Sequence, residues 1–210
     1  MSSFQSFPTT QLSHRSHSLN PRLQELHLPM VILENFLAST KEISVQELEY
    51  VPYQRLVLAH LLDEECGGSL KKILVETLHN RAMGALEIST PSGLDKEELI
   101  KVSTAVSHLV GLPNFDSMSE KYYACFNVKD TDNSDSYLRQ AYRLFTLHTD
   151  GTYVDETTDW VLMLKIKEEK AVGGESRLLH LDDWEAMEIF AEHPLGHTPM
   201  EYKSPPSKNV

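Results

Sequence analysis

His148 and Asp150 stand two residues apart in the stretch FTLHTDGTYVDETTDWVLMLKI, residues 145–166. On an extended segment, side chains i and i+2 leave the backbone on the same side. A strand ending at LHTD would therefore aim an imidazole and a carboxylate into one space. That pair is two-thirds of the 2-His-1-carboxylate facial triad, the donor set that holds Fe(II) on one face and leaves the remaining positions open. Gly151 follows at once and lets the chain turn away without crowding a metal.

Spacing alone does not single the pair out. The chain has ten histidines, and a chance His-x-Asp is expected about once in two chains of this kind. A second one, His180-Leu181-Asp182, is present. There Asp182 has a different reading, as the N-cap of a short helix in DDWEAMEIFAEHP with Glu185 completing a capping box. His148 and Asp150 have no such alternative.

Other chemistry finds little support. AVGGES lacks the lysine and the helix context of a phosphate loop, and no Ser or Cys sits in a nucleophile elbow. Glu97/Glu98 reads as a helix start and Glu168/Glu169 as a solvated face.

The elements that must position the pair fall into two textures. RLQELHL reads as a short strand with Leu23 and Leu28 as its apolar residues. PMVILENFLAST reads as a helix with Pro29 near its start. YQRLVLAHLLDEECGG is a helix closed by Gly67 and Gly68, and Ser69 is placed to cap a further helix, LKKILVETLHNRAMG. ALEIS is a strand candidate. DKEELIKVSTAVSHLVG is the clearest helix, with Asp95 as N-cap, Glu97 and Glu98 in the first turn and Gly111 at the end. His108 on it reads as an ordinary helix histidine. After Pro113, KYYACFNVKD, AYRLFTLH, TDWVLMLKI and ESRLLHL read as strands between turn-rich segments. Helices to about residue 112 and strands after it predict an α+β fold, a helical layer on an antiparallel sheet of jelly-roll type.

The 210 residues fit one domain, 21–210, behind a flexible Ser/Thr-rich tail over 1–20. That tail has a single arginine and no amphipathic face, unlike a targeting peptide. The apolar fraction of 40% is enough for a core. A net charge of −12 speaks against nucleic acid and against anionic membrane surfaces. No apolar run approaches the ~18 residues of a membrane span. The two cysteines, Cys66 and Cys125, form no paired motif and read as small buried hydrophobes in a reducing compartment, the cytoplasm.

KYYACFNVKDTDNSDSYLRQ, LHTDGTYVDETTDWVLMLKI, GGESRLLHLDDWE and PPSKNV together resemble the carbon-starvation-induced family of glutarate 2-hydroxylases, which are Fe(II)/2-oxoglutarate-dependent oxygenases. NPRLQEL, LHNRAMGALEI and VSTAVSHLVGLPNFDSMS are similar to that family too, so the resemblance covers nearly everything after the tail. It implies a double-stranded β-helix (jelly-roll) core behind the N-terminal helical layer. It implies His148 and Asp150 as metal ligands, Fe(II) as cofactor, 2-oxoglutarate as co-substrate, and a small dicarboxylate and O2 as partners. The implied reaction is hydroxylation of glutarate to 2-hydroxyglutarate with release of succinate and CO2, in lysine breakdown. Nucleic acid and membrane are not implied as partners, and a homo-oligomer is left open.

The family's second iron histidine, and the arginine that pairs with 2-oxoglutarate, come farther downstream than residue 210. The barrel is therefore expected to be incomplete at its C-terminal end. The alternative function is a catalytically inactive remnant or an assembly module of the same family. His180, His193 and His197 follow Asp150, but each lies in a segment like ordinary family sequence and none is a natural replacement. Arg139 and Tyr153 flank the pair and could reach a dicarboxylate; Ser204, Ser207 and Lys208 could line a pocket mouth. None of these five is assigned a catalytic role.

Overall fold

A computed structural model describes residues 11–116, 119–127, 146–150, 157–169, 175–199 and 201. The chain divides into two units, Met1–Pro113 and Asn114–Val210.

The described residues of the first unit form a three-stranded sheet and five helices, a mixed α/β arrangement. Strand β1 (Ser13–Ser16) runs antiparallel to β2 (Leu23–His27), which runs parallel to β3 (Ala85–Ser89), in the order β1-β2-β3. β1 lies inside the stretch expected to be a flexible tail; Arg15 Nε donates to Glu25 Oε2 across the pair at 2.6 Å and helps hold it. A parallel pair needs a long crossover. Here it contains α1 (Met30–Ser39), α2 (Val45–Tyr50), α3 (Pro52–Glu65) and α4 (Leu70–Leu78). The face of β2 that turns inward is Gln24 and Leu26, with Leu28 buried just beyond, rather than Leu23. A buried glutamine is tolerable because its amide is satisfied: Nε2 donates to Pro21 O at 2.9 Å and to Ser16 Oγ at 3.0 Å.

The core comes from one face of each helix. Ile32, Leu33 and Phe36 of α1, Leu58, Ala59 and Leu62 of α3, and Leu70 and Leu74 of α4 are buried. α5 (Lys96–Val110) adds Ile100, Val102, Ala105, Val106 and Leu109. α3 packs chiefly on α5. Lys101 is buried among these groups, and its Nζ donates to the carbonyl of Thr40 at 2.9 Å. Thr40 is the C-cap of α1, so the ammonium sits where a helix exposes its negative end.

Helix ends follow local chemistry, with three differences from expectation. α2 was not foreseen, although Ser44 and Glu47 carry its signal: Ser44 Oγ accepts from Glu47 N at 3.0 Å. Ser69 does not cap α4. It already has helical φ/ψ, its hydroxyl donates back to Cys66 O at 2.7 Å, and Asp63 Oδ1 accepts from Lys71 N at 2.9 Å instead. α4 stops at Leu78, short of Gly84, because Asn80 folds the chain into a turn, its Oδ1 accepting from Ala82 N at 2.9 Å. Gly111 ends α5 as expected, with an extended φ of −174°. Gly67 and Gly68 do close α3 as expected, at φ +66° and +71°, where a side chain would be strained.

α5 begins at the N-cap read from the sequence, Asp95, which the structure extends to a capping box with Glu98. Asp95 Oδ1 accepts from Glu98 N at 2.9 Å and Glu98 Oε2 accepts from Asp95 N at 2.8 Å. Asp95→Ala removes the first of these, and the unfolding midpoint in urea is expected to fall by the equivalent of about 1 kcal/mol, within the usual 0.5–2. An unchanged midpoint would show that the cap does not contribute.

His108 is half-buried, and its Nδ1 lies 2.8 Å from Thr104 O. Burial holds its pKa below the usual histidine value; the Thr104 carbonyl pulls the other way and Arg55 adds to the depression. The folded state thus favours the neutral ring. The stability this contributes is fully present above the unfolded value of about 6.5 and is lost as pH falls through the lowered folded value. Denaturation midpoints of the wild-type chain should drop below about pH 6.5, and His108→Gln should flatten part of that drop. Parallel pH curves for both proteins would contradict this.

In the second unit the described residues hold short pieces only. Asp116 and Lys121 form an isolated bridge. One short helix, α6 (Met187–Ala191), lies between 3-10 turns at Leu181–Asp183 and Pro194–His197. Residues 121–127, 158–166 and 175–181, expected as strands, form no ladder among the described residues. The expected strand AYRLFTLH falls mostly on 141–145, outside the described residues, and Thr146–His148 is not in a ladder. Propensity makes a segment extended, but only a partner strand makes it a β-strand. The described sheet is the small one in the first unit, and the jelly-roll core is not among the described residues.

The helix expected to start at Asp182 starts at Met187 instead, with no side-chain cap. Trp184 is extended (φ −87°, ψ 101°) and breaks any continuity from Asp182, so the Asp182/Glu185 capping box does not form. Trp184 stacks on Phe190 with ring centroids 5.1 Å apart. Cys66 is buried as expected, its thiol pushed up to about 12 by burial and by the nearby carboxylates of Asp63 and Glu65. Cys125 is exposed, contrary to expectation; among the described residues its segment joins no sheet.

Candidate metal centre

Thr146–Asp150 is non-helical, and it brings the two predicted residues together. His148 Nε2 lies 3.5 Å from Asp150 Oδ1. The other ring nitrogen, Nδ1, lies 2.8 Å from the carbonyl oxygen of Thr146. A carbonyl only accepts, so Nδ1 carries the proton and donates. In the neutral ring that leaves the lone pair on Nε2, the nitrogen facing the carboxylate. A second acceptor that fixes the tautomer in this way is what metal-bound histidines commonly have.

The distance suits a shared ion. Two donors each about 2.1 Å from a metal stand about 3.0 Å apart at a right angle and about 3.5 Å apart near 110°. The pair can therefore occupy neighbouring positions of a divalent cation with a shift of a few tenths of an ångström. Both side chains are substantially exposed, so each can be reached.

The second His-x-Asp has the opposite wiring. His180 Nδ1 accepts from the amide of Asp182 at 3.1 Å, which places the proton of the neutral ring on Nε2. His180 thus acts as the cap of the 3-10 turn that follows, the role expected of Asp182. His193 is wired likewise, accepting at Nδ1 from Leu195 N at 3.2 Å, and His197 lies within the turn 194–197. Among the described residues no group of three His, Cys, Asp or Glu could hold a metal, so none of these histidines completes the triad.

Nitrogen-15 NMR of the neutral chain checks the difference. His148 should give the Nδ1–H tautomer pattern, and His180 and His193 the Nε2–H pattern. The same tautomer at His148 and His180 would contradict the assignment.

The sequence analysis missed Thr146 as an orienting group, and no residue-type signal could have found it, because the acceptor is a backbone carbonyl. Gly151, Tyr153, Arg139, Ser204, Ser207 and Lys208 lie outside the described residues. Glu168 and Glu169 are surface partners of Lys165 and Lys167, and the Lys167 contact lowers the pKa of Glu169. Glu98 is spent on the α5 cap. No described helix is long and apolar enough to cross a membrane.

An imidazole nitrogen and a carboxylate oxygen this close are donor types that a divalent cation can share. The profile of the CsiD family matches residues 12–210, and the chain belongs to that family. Its curated relatives include proteins named glutarate 2-hydroxylase from Salmonella typhimurium, Salmonella newport and Salmonella paratyphi B. Each is 50% identical over 195 residues, covering 91% of this chain and 60% of the relative. The chain thus spans about 60% of the length of the curated relatives it matches.

Proposed function

We propose that this chain is part of an Fe(II)/2-oxoglutarate-dependent oxygenase that converts glutarate to 2-hydroxyglutarate, with His148 and Asp150 holding two of the iron's positions. The observation that carries the reading is the His148 geometry, Nδ1–H committed to Thr146 and Nε2 turned to Asp150 at 3.5 Å. The name shared by relatives at 50% identity supplies the substrate.

When bound, the iron with 2-oxoglutarate would supply oxidation by O2: one oxygen atom enters a C–H bond of glutarate and the other enters succinate as CO2 leaves. His148 contributes a neutral nitrogen donor held in one orientation. Asp150 contributes a negative oxygen donor that offsets the ion's charge. Both are needed for a defined geometry, because an ion on two loosely placed donors is weakly bound.

The remaining histidine and an arginine for the co-substrate belong, in this reading, to the part of the relatives that this chain does not match. The same reading makes the extended apolar segments of the second unit strands of a double-stranded β-helix. A cytoplasmic setting agrees with the free thiols of Cys66 and Cys125.

The test compares the 210-residue chain with the same chain joined to the unmatched portion of the Salmonella typhimurium relative. The joined protein should form succinate and 2-hydroxyglutarate only when Fe(II), 2-oxoglutarate and glutarate are all present, and the 210-residue chain should form far less. A joined protein that binds Fe(II) yet shows no glutarate-dependent succinate would remove the glutarate assignment. A 210-residue chain as active as the joined form would show that no downstream ligand is required.

A further inference from the structure

Asp150 is followed by Gly151, and no other Asp or Asn in the sequence precedes a glycine. The Asp150 side chain is 58% exposed, on backbone that is not helical. Its carboxylate has His148 Nε2 at 3.5 Å, and that nitrogen carries the lone pair of the neutral ring, so it donates no hydrogen bond to hold the group. Asp63 and Asp95 are placed differently. Asp63 Oδ1 accepts from Lys71 N and Asp95 Oδ1 from Glu98 N, each at 2.9 Å. The residues after them, Glu64 and Lys96, lie in α3 and α5 and carry a Cβ. An aspartyl carboxyl that turns about its own Cα–Cβ bond reaches the peptide nitrogen that follows it. Ring closure is open to it when nothing holds the carboxyl and no Cβ crowds the nitrogen.

We propose that Asp150 is a site of self-modification, which the metal-free chain converts to isoaspartate, and that a divalent cation shared with His148 suppresses the conversion. The Gly151 nitrogen attacks Asp150 Cγ. An N–Cγ bond forms, a Cγ–O bond breaks, and the oxygen leaves as water with the amide proton and one proton from solvent. Water then reopens the ring and returns that proton. Addition at Cγ restores aspartate. Addition at the main-chain carbonyl carbon breaks its bond to nitrogen, leaving the peptide joined through Cγ and a free carboxylate on Cα. No atom is gained or lost overall, and no oxidant is needed. The product carries its carboxylate one bond nearer the backbone, a displacement of about 1.5 Å. A metal donor tolerates about 0.2 Å, so isoaspartate at 150 ends the sharing of an ion with His148. A bound ion opposes the first step, because it holds the carboxylate beside His148 and away from the nitrogen. The isomerisation rests on Asp150 and its neighbour alone; the protection rests on the metal reading proposed above.

The test ages the 210-residue chain in warm neutral buffer with a chelator, then maps its peptides by electron-transfer fragmentation, which tells isoaspartate from aspartate at equal mass. Isoaspartate should accumulate at 150 and stay at background at 63 and 95. A species lighter by one water at 150 should precede it. Gly151→Ala, which sets a Cβ beside the attacking nitrogen, should bring position 150 down to that background. The chain joined to the unmatched portion of the Salmonella typhimurium relative is then loaded with Co(II) and aged in the same way. The loaded protein should keep aspartate at 150. The same protein aged without metal should lose its capacity for Co(II), read by visible absorption, in proportion to its isoaspartate.

Aspartate unchanged at 150 in the aged metal-free chain overturns the proposal. So does isoaspartate at 63 and 95 in equal amount, since the site would then have no preference, or an undiminished amount in Gly151→Ala. Equal isoaspartate in metal-free protein and in protein whose absorption shows Co(II) bound overturns the protection, because the ion would not be holding this carboxylate. A joined protein that takes up no Co(II) at all overturns the metal reading and the protection with it, while the isomerisation stands or falls on the map of the metal-free chain.

Discussion

His148→Ala is expected to abolish measurable Fe(II) binding in the chain joined to the relatives' remaining portion. The reason is specific to the pair. Nε2 is the oriented donor, 3.5 Å from Asp150 Oδ1, and the alanine side chain leaves Asp150 as the remaining donor of the two. Loss of an outer-shell partner of a metal-bound histidine typically costs about 10- to 100-fold in affinity, and loss of the ligand itself exceeds that. Iron content after anaerobic loading, and the visible absorption of a Co(II) titration, read the effect directly.

Asp150→Asn should fall between wild type and His148→Ala, because an amide oxygen can still donate but the negative charge is gone. His180→Ala is the control. It has the same His-x-Asp spacing but the opposite tautomer, and iron content should not change. Unchanged iron in His148→Ala, or a loss in His180→Ala equal to it, would sink the assignment.

Phe36→Ala should produce the largest change in stability. Its ring is fully buried on α1, in the layer that α1 forms against α3. Truncating a buried phenylalanine costs about 3–5 kcal/mol, from lost transfer and from the cavity left behind. A domain of roughly this unit's size has only about 5–15 kcal/mol in total. The backbone carbonyl of Phe36 still accepts from Thr40 N at 3.0 Å and Thr40 Oγ1 at 2.8 Å, so the α1 terminus survives and the loss belongs to the ring. Far-UV circular dichroism in urea should show the helical transition at a much lower midpoint. Tyr53→Ala, on the exposed side of α3, should move it by no more than about 0.5 kcal/mol. Similar shifts for the two variants would show that α1 does not carry the core.

Where a structural signal is local, the sequence alone was enough. The N-cap at Asp95 and the glycine stop after α3 depend on residues within a few positions of one another, and each formed as read. Ser44 and Glu47 carried a signal of the same kind for α2 that went unread. The closeness of His148 and Asp150 is local too, since a two-residue spacing on non-helical backbone cannot carry the side chains far apart. Family membership was legible for a related reason: it lies in residue identities spread over the chain, which need no geometry to be compared.

Tertiary structure decided everything that depends on a distant partner. Gln24 faces inward because Ser16 and Pro21 happen to satisfy its amide, and β1 exists because Glu25 and its strand lie opposite. Asp63 rather than Ser69 caps α4, since a capping oxygen is chosen by position in space. The two His-x-Asp pairs are alike in spacing and differ in what Nδ1 meets, a carbonyl at His148 and an amide N–H at His180. The apolar run at 160–164 has strand propensity and no ladder, because a β-strand is a relation between two segments and propensity describes only one of them.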